Sequence, residues 1–186
     1  LNKAINKLRK FIEMNPKGEP TQYAHYLMAM CYYVQVSSEG RDPGLSIKAL
    51  NSFKLINSKY PNSKYAKDSR LKIQFLKNSL AKNELNIGKF YLKKGAPASS
   101  INRFKFVLQN YQNTSVVPET LFRLSEALLM IGLKDEAIKS SAILDYNYPN
   151  NDWTKLSKKL FQKKSELDQN KDDDLSIINY LKDFFE

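Results

Sequence analysis

The sequence predicts an all-α protein built as a solenoid of helical hairpins, with one extended helix and a C-terminal helical extension. Three observations predict it. A short phrase recurs as YPNS at 60–63, YQNT at 111–114 and YPNN at 148–151, with NPKG at 15–18 as a looser copy. Proline cannot continue a helix, so each phrase reads as a helix stop. Twelve residues before the stop positions Pro16, Pro61, Gln112 and Pro149 stand Ala4, Ala49, Ser100 and Ala137, all small; eight before stand Leu8, Phe53, Phe104 and Ser141, three of them large and apolar. Finally, 63–94 contains no proline, and Ile73, Leu76, Leu80, Ile87 and Tyr91 recur there at helical spacing.

Small residue, large residue, then proline is the second half of the tetratricopeptide pattern. The small residue sits where two helices cross closely, and the large one fills the gap between repeats. The first half is present too. Gly88 and Tyr91 lie twelve and nine residues before Ser100, and Leu121, Leu124, Ser125 and Leu128 precede Ala137 at matching offsets. Ala29 and Tyr32 fit once the following loop is lengthened by SSEGRDPG at 37–44. Four units share one register.

Taken in order, LNKAINKLRKFIEM opens as if mid-helix, so the natural start is expected upstream. Each stop tyrosine should pack at a helix end, and the following Asn, Ser or Thr should cap the next helix by accepting from its free N–H groups. Residues 63–94 read as one helix of about eight to nine turns ending before Gly95. Trp153, Leu156, Leu160 and Leu167 indicate a further helix. Ile177, Ile178, Leu181, Phe184 and Phe185 then form one apolar helical face, with Asp174 or Ser176 as its cap. A solenoid needs its last apolar face covered. This tail either docks back as that cover or finds another chain. The division expected is a repeat domain at 1–167 and an acidic extension at 168–186.

The formal net charge is +11, but lysine is scattered through nearly every helical segment. That distribution reads as a solvated surface, not as a nucleic-acid face. No apolar run approaches the ~18 residues of a membrane span. The single cysteine, Cys31, lies among Met28, Met30, Tyr32 and Tyr33 and reads as a buried thiol. His25 is the only histidine, which argues against a histidine triad or a multi-histidine metal site. No phosphate-cradling glycine motif is present, and Asp172–Asp174 lack EF-hand spacing. The expectation is a binding protein, not an enzyme, with no cofactor and no metal.

The first helix of each hairpin lines the concave face of such an array. The pattern assigns Tyr23, Tyr26, Met30 and Tyr33 to it, then Leu85, Lys89, Leu92 and Lys93, then Glu119, Phe122, Glu126 and Met130. An aromatic, Met-rich groove with lysines downstream suits an extended peptide with apolar side chains and some negative charge. The plainer reading is that these residues pack between repeats.

The order of elements carries a closer likeness. An RDP loop (41–43) precedes a helix ending YPNSKYA (60–66); next come FLKNSLAKNELNIGKFYLKKGA (75–96) and INRFKFVLQNYQNT (101–114). This resembles the BamD family, the tetratricopeptide lipoproteins of the β-barrel assembly machinery in Gram-negative outer membranes. Leu76, Leu80, Ala81, Lys82, Glu84, Tyr91, Gly95, Ala96, Asn102, Arg103, Tyr111 and Thr114 match the family's run, and the likeness covers most of 20–150. Gln112 departs from the family proline. The resemblance implies a lipid-anchored protein on the periplasmic face of the outer membrane, its anchor absent from this sequence. It implies binding to the periplasmic domains of BamA and to other lipoproteins of the machinery, with Asn102 and Arg103 at that contact. It also implies an N-terminal groove for C-terminal signal peptides of unfolded barrel proteins. The alternative is another peptide-binding adaptor, for chaperone tails or an envelope complex.

Overall fold

The structure, a computed structural model, describes residues 1–38 and 43–169. Among these residues it is entirely helical: α1 (Asn2–Met14), α2 (Glu19–Ser38), α3 (Pro43–Lys59), α4 (Lys64–Lys93), α5 (Pro97–Asn110), α6 (Val117–Met130), α7 (Lys134–Asn147) and α8 (Asp152–Gln169). The all-α hairpin repeat is therefore the fold, and the extended helix expected at 63–94 is α4, 30 residues long. The expected extension at 168–186 lies, beyond Gln169, outside the described residues, as do its proposed apolar helix and cap.

Among the described residues, two kinds of helix end recur. At the recurring phrases the stop residue closes the helix with one last i→i−4 bond. Asn15, Tyr60, Tyr111 and Tyr148 donate their N–H groups to the carbonyls of Phe11, Ile56, Val107 and Leu144 at 2.8–2.9 Å. The ends of α4 and α6 use glycine instead. Gly95 and Gly132 adopt positive φ (71° and 78°). Ala96 N–H then reaches Tyr91 O at 2.9 Å and Leu133 N–H reaches Leu128 O at 3.0 Å, the six-to-one bond of a Schellman cap.

An expected side-chain cap is realised at the phrase 148–151. Asn151 Oδ1 accepts from Trp153 N–H at 3.0 Å. The Thr114 hydroxyl instead donates back to Tyr111 O at 2.7 Å, and the buried Ser63 hydroxyl has no partner. The reason is competition: a helix end frees carbonyls as well as N–H groups, and a hydroxyl can serve either. Thr21 and Thr154 show the same preference, donating to the stop carbonyls of Asn15 (2.5 Å) and Tyr148 (2.6 Å).

The chain forms two compact units whose boundary falls inside α4: Leu1–Leu80, and Ala81 onward. The first buries Ala24, Ala29, Ala49, Leu50, Phe53, Ile56, Ala66 and Leu76. The second buries a continuous core from Leu85 and Leu92 through Phe104, Leu121 and Phe122 to Leu144 and Leu160. The repeat's small positions Ala49, Ser100 and Ala137 are fully buried, whereas Ala4 is exposed and Ile5 is the buried residue of α1. Gly88 explains why a close crossing demands a small residue. A Cβ there would lie 2.3 Å from Cε1 of the fully buried Phe104. Cys31, expected to be buried, is half-buried and free.

Candidate functional site

In the first unit, α2 turns Tyr23, Tyr26, Met30 and Tyr33 onto one side, at spacings of three and four residues. The tyrosines form a continuous aromatic seam. Tyr65 stacks on both Tyr23 (5.5 Å between centroids) and Tyr26 (5.0 Å). Phe53 meets Tyr26 and Tyr33 edge-on, and Tyr33 meets Phe75 at 6.0 Å. Tyr26 donates its hydroxyl to Asp68 Oδ2 at 2.7 Å, and Lys72 holds the other carboxylate oxygen at 2.8 Å while lying over the Tyr33 ring.

Burial, then the Asp68 contact, pushes the Tyr26 phenol up to about 12. Asp68 resists the upward push of its own burial, because Lys72 and Tyr26 hold its carboxyl below the usual range. The seam is thus locked from below by a charge-assisted network, yet open above: Tyr23 is 46% exposed and Phe75 57%. Rings with fixed positions and wet faces can take apolar or aromatic side chains at little entropic cost. Tyr65, Phe75 and Asp68 escaped the sequence reading, because they lie on α4 and join the site only once α4 packs beside α2.

In the second unit the concave assignments divide. Leu85, Leu92, Phe122 and Glu126 are buried, so they build the core and line no open groove. The cover is Trp153 of α8, whose ring packs 5.4 Å from Phe122, with the Arg123 guanidinium 5.3 Å from both rings. Lys89 is half-buried and pairs with Glu119 at 2.6 Å; Lys93 is exposed. Arg123 donates to Glu126 Oε2 at 2.8 Å, while Glu126 Oε1 is buried without a hydrogen-bond partner. Burial, only partly offset by Arg123, raises the Glu126 carboxyl from 4.5 to about 7.

Asn102 and Arg103 stand exposed on α5. Arg103 Nη1 donates to Glu84 Oε2 of α4 at 3.0 Å. The same carboxylate adds to the effect of burial in raising the Tyr111 phenol. Glu84 is the partner that sequence spacing did not reveal; it stands on the half of α4 packed beside α5.

These features define a class: an all-α protein built from repeated helical hairpins. Comparison with known sequences narrows it. Residues 1–144 match the family model YfiO, described as outer membrane lipoprotein, and the chain belongs to that family. It is 42% identical over 150 residues to the outer membrane protein assembly factor BamD of Rickettsia prowazekii, covering 81% of this chain and 60% of that protein. It is 43% identical over 150 residues to the BamD of Caulobacter vibrioides, covering 81% and 49%, and 28% identical over 158 residues to that of Neisseria meningitidis, covering 80% and 59%. The chain therefore spans about half to three fifths of the length of the curated relatives it matches. No described helix is long and apolar enough to cross a membrane.

Proposed function

We propose that this chain is the partner-binding repeat region of an outer membrane protein assembly factor, acting by binding and not by catalysis. The observation that carries the reading is its membership of the family over 1–144, together with relatives at 42–43% identity that are named assembly factors. In this reading the protein is lipid-anchored at the periplasmic face of the outer membrane. It holds the periplasmic domains of the BamA barrel protein and works beside other lipoproteins of the machinery. Client peptides from unfolded barrel proteins meet the aromatic seam of Tyr23, Tyr26, Met30 and Tyr33, with Lys89 and Lys93 serving acidic client groups. Repeat domain and acidic extension divide near residue 167.

Arg103 is suited to the BamA contact on physical grounds. Its ion pair with Glu84 is partly exposed, the arginine side chain being 45% accessible. Such pairs contribute only about 0–1 kcal/mol, so an acidic group on a partner can take over the guanidinium cheaply. Asn102 beside it offers both a donor and an acceptor.

The test is affinity capture from detergent-solubilised outer membranes of the source organism, using this chain and its Arg103→Glu variant. The expected result is a large outer-membrane barrel protein retained by the first and lost by the second, with unchanged circular dichroism. Capture of a cytosolic chaperone or of RNA instead would contradict the reading.

A further inference from the structure

Each stop tyrosine is preceded, five residues earlier, by a large apolar residue: Leu55 before Tyr60, Phe106 before Tyr111 and Ile143 before Tyr148. All three stand open to water, at 41%, 42% and 51% exposure. On α5 the Phe106 ring meets Tyr111 edge-on, 6.1 Å between centroids. The residue three places before the apolar one differs between hairpins. Before Leu55 and Ile143 it is a serine, Ser52 or Ser140, and each donates its hydroxyl to a backbone carbonyl, of Lys48 or of Leu121. Before Phe106 it is Arg103. Residues three apart share a helix face, so α5 sets an exposed guanidinium beside an exposed ring. Glu84 of α4 joins the patch from beneath. It accepts from Arg103 Nη1 at 3.0 Å, and its charge adds to burial in raising the Tyr111 phenol.

We propose that Phe106, seated against Tyr111, is the apolar anchor of the contact made at Arg103: a carboxylate of the partner goes to the guanidinium and a large apolar side chain of the same partner surface goes onto the Phe106 ring. The proposal rests on the assembly reading, which puts BamA at Arg103, and adds a second, chemically different determinant to it. An exposed ion pair contributes little by itself, because water and salt screen both charges. A ring beside it excludes water and strengthens the pair, and arginine and aromatic residues are the usual anchors of protein interfaces. The edge-on contact with Tyr111 and the bond from Arg103 to Glu84 hold both groups in place before any partner arrives, which lowers the entropic cost of binding. The spacing also defines the partner. Its carboxylate and its apolar side chain must stand about 5–6 Å apart, the separation of neighbouring side chains on one helix face.

Capture of the BamA barrel protein from detergent-solubilised outer membranes tests this, with washes at about 0.1 M and 1 M salt, where charges are screened beyond about 10 Å and 3 Å. Phe106→Gln removes the ring and keeps a good helix former, so circular dichroism and Tm should be unchanged. It should lower the fraction retained about tenfold, the loss typical of an aromatic anchor, and what remains should disappear at the higher salt. The unaltered chain should keep its partner in both washes, and Phe106→Leu should restore most of the retention. Leu55→Gln and Ile143→Gln alter the same position in hairpins that lack the arginine, and should retain the barrel protein in full. The inference fails, with the assembly reading intact, if Phe106→Gln retains the barrel protein as well as the unaltered chain does. It fails equally if Leu55→Gln and Ile143→Gln weaken capture as much as Phe106→Gln. An unaltered chain that captures no barrel protein would overturn the assembly reading and this inference together.

Discussion

Phe53 and Phe104 hold the same place in successive repeats, eight residues before a stop, and are packed in opposite ways. Phe53 lies against tyrosine rings, and those rings lead outward through Tyr65 and Phe75 to a half-wet surface. Phe104 lies against Gly88, so closely that no Cβ would fit, and it sits in a core that is mostly aliphatic. Ring on ring leaves spare aromatic faces and hydroxyls; ring on glycine leaves none. One repeat pattern thus yields a half-wet aromatic surface in the first unit and a close-packed core in the second, beside which Lys89, Glu119, Arg123 and Glu126 form a chain of charged contacts.

The sharpest way to break this contrast is at its centre. Phe104→Ala should cost roughly 3–5 kcal/mol of stability, because rigid neighbours cannot refill the space. Gly88→Ala alone should cost about 1–3 kcal/mol by overpacking. Combined with Phe104→Ala it should add almost nothing, since the clashing ring is gone. Urea denaturation of the two single variants and the double variant reads this directly; simple additivity would refute the ring-on-glycine account.

Next in size is a pH effect confined to the second unit. The folded-state value of Glu126 is raised to about 7 against an ordinary 4.5. The folded state therefore binds the proton more tightly than the unfolded chain does. Its stabilising contribution is complete below about pH 4.5 and is lost as pH rises through 7. The unaltered chain should lose roughly 2–3 kcal/mol relative to Glu126→Gln between pH 5 and pH 8. His25 works in the opposite sense, since burial and then Lys59 lower its value and its contribution is lost as pH falls. It is common to both proteins and cancels in the difference. A pH-independent difference would contradict a buried carboxyl.

Much of this architecture was legible in the residues. The four stops, the long helix ending before Gly95 and the small–large repeat positions follow from proline, glycine and helical periodicity, which act locally. The site was legible in half. The α2 tyrosines do share a side, but Leu85, Leu92, Phe122 and Glu126 were assigned by register to a groove and are core instead. Register fixes which side of a helix a residue occupies; only the next hairpin decides whether that side is covered. Trp153 provides the cover for Phe122, and its own sequence context says no more than helix. Caps are legible only in part for a related reason: Asn151 accepts from Trp153 N–H, whereas Thr114 serves the Tyr111 carbonyl. A hydroxyl at a helix end can serve a carbonyl or an N–H, and sequence does not choose between them.

The most direct test of the account is a crossed one. Tyr23→Ala alters the exposed end of the aromatic seam, and Arg103→Glu breaks a partly exposed ion pair worth at most about 1 kcal/mol to folding. Each variant is titrated with a C-terminal peptide of an outer-membrane barrel protein and scored for capture of the BamA barrel protein. Tyr23→Ala should bind the peptide roughly three- to tenfold more weakly, the worth of one aromatic contact, and keep the barrel protein. Arg103→Glu should keep peptide affinity and lose the barrel protein. Two variants that lose both activities together, or neither, would contradict the assignment of client and scaffold contacts to separate units.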